Sequence, residues 1–225
     1  MARWVNTANL VRAALVPALC VVAACDSDSD SETVRGSGSI VTQAREVEGF
    51  STIRLEGSGD VMVDVGDRES LTIETDDNLL ELIDTEVRGS RLVIDHERSL
   101  SPSAGIVYRI EAVDFDGVEI AGSADVVASD VECDTFSMTI AGSGSIELDG
   151  SCQRIEVDIA GSGDLDAGGL VVDRAEVSIA GSGDVIVNAS EELQVSIAGS
   201  GNVVYLGDPA TDIDVQGSGE VSRGP

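Results

Sequence analysis

The chain has 225 residues, with 13 Lys+Arg, 42 Asp+Glu and one His, for a formal net charge of −29. This length suits one domain or at most two small ones, and a hydrophobic share of 42% is enough for a core. All the basic residues are Arg, and they form no cluster. Such an acidic chain repels phosphate backbones, so nucleic acid is excluded as a partner.

The N-terminus has the composition of a secretory signal. Arg3 and Arg12 precede a short apolar run that ends in Val22-Ala23-Ala24-Cys25. This run is shorter than the roughly 20 apolar residues that span a bilayer. Its end resembles the bacterial lipobox, so we expect residues 1–24 to be a signal peptide and Cys25 to be lipidated. The alternative is an ordinary signal peptide that happens to precede a cysteine.

Acidic, Ser-rich and Gly-rich sequence follows the lipobox, with Asp-Ser repeats at 26–32 and Gly-Ser repeats at 36–39. Such sequence offers little apolar surface to offset the entropy lost on ordering. We therefore expect residues 25–46 to be the lipidated cysteine and a solvated tether. The predicted location is exported and lipid-anchored to the bacterial cell envelope, and both the inner and the outer membrane fit this prediction.

Residues 47–111 are less regular but contain strand signals. Strands are predicted around Phe50–Leu55, at the alternating Val61, Val63 and Val65, and at 71–73 and 92–94. Residues 87–92 are typical of a hairpin turn. Residues 76–83 fit a short capped helix or an extended connection. We expect this half to form the irregular first coils and the cap of the structure that follows.

A repeat of about nineteen residues organises 112–223. Its marker is the sequence Gly-Ser-Gly/Ala followed by one variable residue, which recurs at Gly57, Gly122, Gly142, Gly161, Gly181, Gly199 and Gly217. The last five intervals are 18–20 residues. Apolar residues stand two, four and six positions before most of these glycines, with polar residues between them, which is typical of a strand with one buried face.

One such repeat cannot bury its apolar face alone, so successive repeats are expected to stack in parallel around a continuous core. Glycine suits the corner because it adopts positive φ and lets neighbouring turns approach closely. The sequence therefore predicts an all-β fold, a parallel β-helix (β-solenoid) over 47–223. A propeller is the alternative, but its blades need roughly 40 residues each.

Four features together resemble the head GIN domain family over roughly residues 40–221. They are the segment 48–53, the corner 57–61, the Asp-Asp-Asn-Leu-Leu of 76–80 and the repeated Ile-Ala-Gly-Ser-Gly. Members are bacterial domains described as auto-transporter adhesins, often carried on lipoproteins. The resemblance implies a right-handed β-helix, surface or periplasmic placement, and no catalytic residues to transfer.

Two cysteines are candidates for a disulfide. Cys133 and Cys152 each lie nine residues before a repeat glycine, so they hold equivalent positions in consecutive coils. Parallel neighbours are about 4.8 Å apart, within the Cα range that a disulfide accepts, and the exported compartment is oxidising. We predict a Cys133–Cys152 bond, the alternative being two buried thiols.

Acidic residues at the corners are weak candidates for calcium. Asp60, Asp125, Asp164 and Asp184 share the position after Gly-Ser-Gly/Ala, but Ser145 interrupts the column. A carboxylate that accepts a backbone N–H at a turn is the simpler interpretation. No bound metal or other cofactor is therefore expected.

The sequence does not favour an enzyme. The single histidine, His96, is expected to be a plain surface residue, and one His without Lys assembles no nucleophile and base. The leading hypothesis is a non-catalytic envelope lipoprotein that presents a β-solenoid for adhesion or ligand binding to a surface glycan or protein.

Two alternatives remain: a structural envelope protein that self-associates through solenoid ends, and a polysaccharide-active enzyme. An adhesin should expose uncharged side chains on one face along several coils. A stacking protein needs an uncapped end, and an enzyme needs a groove with converging acids.

Overall fold

The computed structural model describes residues 33–225, so the predicted signal peptide, Cys25 and the Asp-Ser repeats lie outside the described residues. Strands dominate this part of the chain, and its one other regular element is a turn of 3-10 helix at Leu80–Leu82. The first eight strands are β1 (Val34–Arg35), β2 (Ile40–Arg45), β3 (Thr52–Val65), β4 (Ser70–Asp76), β5 (Ile83–Arg88), β6 (Arg91–His96), β7 (Leu100–Ser101) and β8 (Val107–Ala112). The others are β9 (Gly117–Gly142), β10 (Ser145–Gly161), β11 (Asp164–Gly181), β12 (Asp184–Gly199), β13 (Asn202–Leu206), β14 (Ala210–Gly217) and β15 (Val221–Arg223).

The repeats pair as parallel strands, from β9 through β10 and β11 to β12. Beyond β12, strands β13 and β14 both pair with β12, and β15 pairs with β13. Ile146 pairs with Val126 on one side and Leu165 on the other, while Val185 pairs with Val203. Partners are therefore 18–20 residues apart, which are the intervals between the repeat glycines.

Burial alternates along these strands as the sequence predicts. In β10, Ile155, Val157 and Ile159 are at most 2% exposed, whereas Glu156 and Asp158 between them are exposed. Equivalent residues of neighbouring repeats stack into continuous apolar columns, because side chains two apart in a strand point to the same face. The fold is thus all-β, with a mostly parallel sheet around one hydrophobic core.

Antiparallel pairs occur in the N-terminal half. Strand β3 pairs in parallel with β6, β8 and β9, but β4 runs antiparallel to β2 and β8, and β5 runs antiparallel to β6. The predicted strands at 71–73 and 92–94 and the hairpin at 87–92 are confirmed. Between β4 and β5, residues 77–79 form a turn and Leu80–Leu82 a single turn of 3-10 helix, which is neither of the two structures predicted for 76–83 in full.

Two strands, β1 at Val34–Arg35 and β2 at Ile40–Arg45, lie within the predicted tether. The buried carboxylate of Asp76 accepts hydrogen bonds from the N–H of Gly38 at 2.6 Å and from the N–H and Oγ of Ser103 at 2.8 and 2.7 Å. Asn78 accepts a bond from the N–H of Ser37 and donates one to the carbonyl of Arg35. Polar contacts, which a hydrophobicity pattern cannot reveal, order this segment.

Within residues 33–225, no helix has the length and hydropathy needed to cross a membrane.

Candidate functional site

A strip without charged side chains runs along five consecutive repeats. Each repeat contributes Ala-Gly-Ser, and these triplets are residues 121–123, 141–143, 160–162, 180–182 and 198–200. Ala160 pairs with Ala141 on one side and Ala180 on the other, and Ala180 pairs with Ala198. With parallel neighbours about 4.8 Å apart, the strip is roughly 19 Å long.

The side chains of this strip are small and accessible. Its last four alanines and all five serines are exposed, and Ser178 and Ser196 extend it on the neighbouring outward-facing column. A flat surface of methyl and hydroxyl groups can contact another surface without removing water from a charge, which is costly. On a chain with 42 acidic residues this is the surface best suited to direct contact.

Glycine between each Ala and Ser is required by close backbone approach. Gly181 has φ 152°, and a Cβ at this position would lie 1.9 Å from the carbonyl oxygen of Gly161 in the preceding repeat. The predicted role of the corner glycines is therefore confirmed. The strip is flat because nothing larger than glycine fits between its two columns.

The four acidic corner residues lie in one column, and the carboxylates of three of them, Asp125, Asp164 and Asp184, bind the next repeat. Asp125 Oδ1 accepts hydrogen bonds from the N–H and Oγ of Ser145 at 3.2 and 2.6 Å. Asp164 Oδ1 accepts from the N–H of Asp184 at 2.9 Å, and Asp184 Oδ1 accepts from Asn202. Each oxygen thus satisfies a backbone donor across repeats.

Asp60 pairs in register with Asp125 at the start of this column. Within residues 33–225 no group of three or more His, Cys, Asp or Glu side chains is placed to hold a metal ion. Through the carboxylates of Asp125, Asp164 and Asp184, the column ties neighbouring corners together by hydrogen bonds.

Cys133 and Cys152 are register partners on β9 and β10, and a disulfide joins them with Cα atoms 4.7 Å apart. A groove of about 600 Å³ beside this bond is lined by the carboxylates of Asp114, Asp116, Glu132 and Asp134. No basic residue is among those that line this groove.

A second cleft, of about 640 Å³, lies between β3 and the β5–β6 hairpin and is lined by Arg54, Arg88 and Arg91. Arg54 forms ion pairs with Glu56 at 2.6 Å and with Glu119 at 2.8 Å. Arg91 lies 3.6 Å from the same Glu119, and Arg88 pairs with Glu86 at 2.8 Å. The arginines are neutralised by neighbouring glutamates, so the cleft presents no free positive charge to an anion.

His96 is not the plain surface residue that we expected. It is half-buried against the Gly57 corner, and its Nε2 lies 2.7 Å from the Oη of Tyr108. Burial lowers the pKa of His96, while neighbouring Asp95 raises it, and burial also raises the pKa of Tyr108. Tyr108 is fully buried on β8. It lies 12 residues after His96, and nothing in the sequence indicated that the two side chains are in contact.

Asp76 is the other polar residue whose role the sequence did not reveal. Its carboxylate is fully buried, and the hydrogen bonds from Ser103, followed by that from Gly38, lower its pKa. The Asp-Asp-Asn motif was visible in the sequence, but its partners lie 27 and 38 residues away.

Several solved structures have a similar fold. An adhesin of Bacteroides fragilis, described as putative, matches with a TM-score of 0.70 and 21% identity, over 84% of this chain and 99% of that one. From Parabacteroides distasonis, a "putative lipid binding protein" matches with a TM-score of 0.55 and 24% identity, over 86% and 100%. A putative adhesin of the same species matches with a TM-score of 0.53 and 20% identity, over 85% and 100%.

At these identities the solved structures establish the fold alone. A search of curated protein sequences found no match. The family model described as "Putative auto-transporter adhesin, head GIN domain" matches residues 49–209, which is well over half of the chain. The chain therefore belongs to the head GIN domain family.

Proposed function

We propose that this protein is a non-catalytic adhesion module of the bacterial cell envelope, and that the Ala-Gly-Ser strip is its contact surface. The observation that carries the proposal is the strip itself, five repeats of exposed uncharged side chains on a chain of net charge −29. Membership of a family described as adhesins supports the same function. The partner is a surface glycan or protein whose own surface is flat.

The proposed architecture behind this surface is a right-handed β-solenoid with coils of about 19 residues. It is supported by the parallel pairing of residues 18–20 positions apart from β9 to β15. A solenoid repeats one surface motif at a fixed spacing, which suits multivalent contact with a repetitive partner.

The proposed location follows from the N-terminal sequence. Export and lipidation at Cys25 would hold the domain at the inner or outer membrane, since two or more acyl chains give stable attachment. A surface or envelope location agrees with the adhesin description of the family. In this arrangement the acidic segment to residue 32 connects the anchor to the folded domain.

Glycan-array and whole-cell binding with the soluble fragment from residue 33 test the adhesion proposal. The test variant carries Ala160→Glu and Ala180→Glu, which place two charges in the centre of the strip. The matched control carries Val127→Glu and Val171→Glu, which add the same charge at positions 48% and 51% exposed outside the strip.

We expect wild-type and control fragments to bind the same glycans or cells, and the strip variant to lose at least tenfold in apparent affinity. Equal binding by both double variants would place the contact surface elsewhere. Absence of binding by the wild-type fragment to every glycan and cell type would contradict adhesion itself. Circular dichroism of each fragment checks that all of them are folded.

A further inference from the structure

The last repeat exposes side chains that every preceding repeat buries. Four positions before the repeat glycine, Met138, Val157, Val177 and Val195 are only 1–2% exposed. Ile213 occupies the same position on β14, pairs in register with Val195, and is 43% exposed. The apolar core is therefore open to solvent at this end.

Backbone groups are also unpaired at this end. Strand β14 pairs with β12 alone, and β15 pairs with β13 alone, among the strands of residues 33–225. Alternate N–H and C=O groups of a strand point to opposite sides, so half of those along Ala210–Gly217 point away from β12. A free strand edge of this kind is a template for a further strand.

The N-terminal end of the same core differs, because other strands cover it. Ile53 and Leu55 of β3 pair with Leu92 and Ile94 of β6, and all four are at most 1% exposed. The open edge at β14 is thus a feature of one end of the sheet, where no strand of residues 33–225 pairs with the outer side of β14.

The charged side chains of β14 determine which kind of segment can bind at this edge. The outward-facing residues of β14 include Asp212 and Asp214, and neither forms an ion pair within residues 33–225. Residues on an added strand would face these carboxylates directly, and like charges at facing positions repel whereas opposite charges attract. The edge of a second copy carries the same two carboxylates.

We propose that the β14 edge is a docking site for an extended segment of a partner protein in which apolar residues alternate with Arg or Lys. The apolar residues of this segment cover Ile213 and the other inward-facing side chains of β14. Its basic residues face Asp212 and Asp214. The backbone of the segment pairs with the free edge of β14. This binding surface is separate from the Ala-Gly-Ser strip and does not depend on adhesion through it.

Two labelled peptides test this proposal against the purified full-length protein in detergent, by fluorescence anisotropy. One has the sequence of β14 itself, Ala-Thr-Asp-Ile-Asp-Val-Gln-Gly. The other replaces both acids, giving Ala-Thr-Arg-Ile-Arg-Val-Gln-Gly. We expect the basic peptide to bind saturably and at least tenfold more tightly than the acidic one. Equal binding of the two peptides, or no saturable binding of the basic one, would overturn the proposal.

Variants of the protein locate the site. Asp212→Lys with Asp214→Lys should reverse the preference, so that the acidic peptide binds more tightly. Ile213→Ser should weaken the basic peptide at least fivefold, and its exposed position leaves the fold intact. The matched control is Asp158→Lys with Glu176→Lys, at outward positions of repeats whose strands are paired on both sides, and it should bind like the wild type.

Sedimentation equilibrium of the same samples identifies the competing occupant. If the edge binds a partner segment and not a second copy, wild type and Ile213→Ser should have the same state of association. A dimer that Ile213→Ser dissociates and that the basic peptide fails to displace would assign the edge to a second copy of the chain and overturn the proposal.

Discussion

The carbonyl oxygen of Gly161 lies 1.9 Å from the point where Gly181 would carry a Cβ. Gly181→Ala should therefore destabilise the protein by at least about 2 kcal/mol, because it combines a positive φ with overlap against rigid backbone. Gly66→Ala is the matched control, since Gly66 has open space around it and no positive φ. Urea unfolding of both variants measures the difference, and equal midpoints would contradict the close stacking of the corners.

Ile159 and Asp158 are adjacent in sequence but point to opposite faces. Ile159→Asp would bury a charge among the aliphatic columns and should cost more than about 3 kcal/mol, whereas Asp158→Ser should stay within about 0.5 kcal/mol. The free energy of unfolding in urea distinguishes them. Comparable losses in both variants would be incompatible with the burial pattern of β10.

Mass spectrometry of non-reduced peptides should find Cys133 linked to Cys152 in protein isolated from the envelope. The bond closes a 19-residue separation, for which chain entropy gives roughly 3 kcal/mol. Reduction should therefore lower the melting temperature without changing the far-UV circular dichroism. Two alkylatable thiols in the untreated protein would rule out the crosslink, and the double Ser variant at these positions should match the reduced wild type.

Protonation of His96 should destabilise the fold. Because burial depresses the pKa of His96 in the folded state, the unfolded chain binds a proton more readily. The contribution of His96 to stability is then fully present above about pH 6.5, the ordinary His value, and is lost as pH falls below it. Melting curves between pH 8 and pH 5 measure this.

The His96→Gln variant is the reference for that measurement. Both proteins contain the same carboxylates, so the effects of these carboxylates on stability cancel in the difference between the two. The difference in melting temperature between wild type and variant should shrink as the pH is lowered. A difference that stays constant from pH 8 to pH 5 would show that His96 does not change its charge state on unfolding.

Cys25→Ser tests the lipid anchor. The variant should lose its acyl chains and leave the membrane fraction for the soluble one, because the apolar surface that holds the wild type in the membrane is then absent. Partition into Triton X-114 measures this directly. Cys20→Ser, at a cysteine within the predicted signal peptide, serves as the control and should partition like the wild type. A Cys25→Ser protein that still enters the detergent phase would contradict the prediction of a lipobox.

Local sequence pattern was sufficient to predict the register of the repeats. Side chains alternate strictly between two faces of a strand, so the spacing of Ile155, Val157 and Ile159 before Gly161 determines which residues are buried. The same spacing places Cys133 beside Cys152 in register. These features could be derived without a structure because a period of about nineteen residues repeats each local environment.

Contacts between distant segments were decided by the tertiary structure alone. The carboxylate of Asp76 is hydrogen-bonded to Gly38 and Ser103, and the imidazole of His96 to Tyr108. The sequence separations of these pairs match no repeat in the sequence. The strands β1 and β2, which lie within the predicted tether, could not be predicted from the sequence for this reason. Hydrogen bonds donated to a buried carboxylate can order a Gly-Ser segment that has almost no apolar residues.

Side-chain exposure at the last repeat shows most clearly which features the sequence determines and which only the tertiary structure decides. Val195 and Ile213 occupy equivalent positions in strands of similar pattern, yet the first is 1% exposed and the second 43%. The alternation in sequence determines which face of the strand each side chain points to. Whether that face is buried depends on a further strand packed over it, and only the assembled sheet reveals that β14 has none among the described residues.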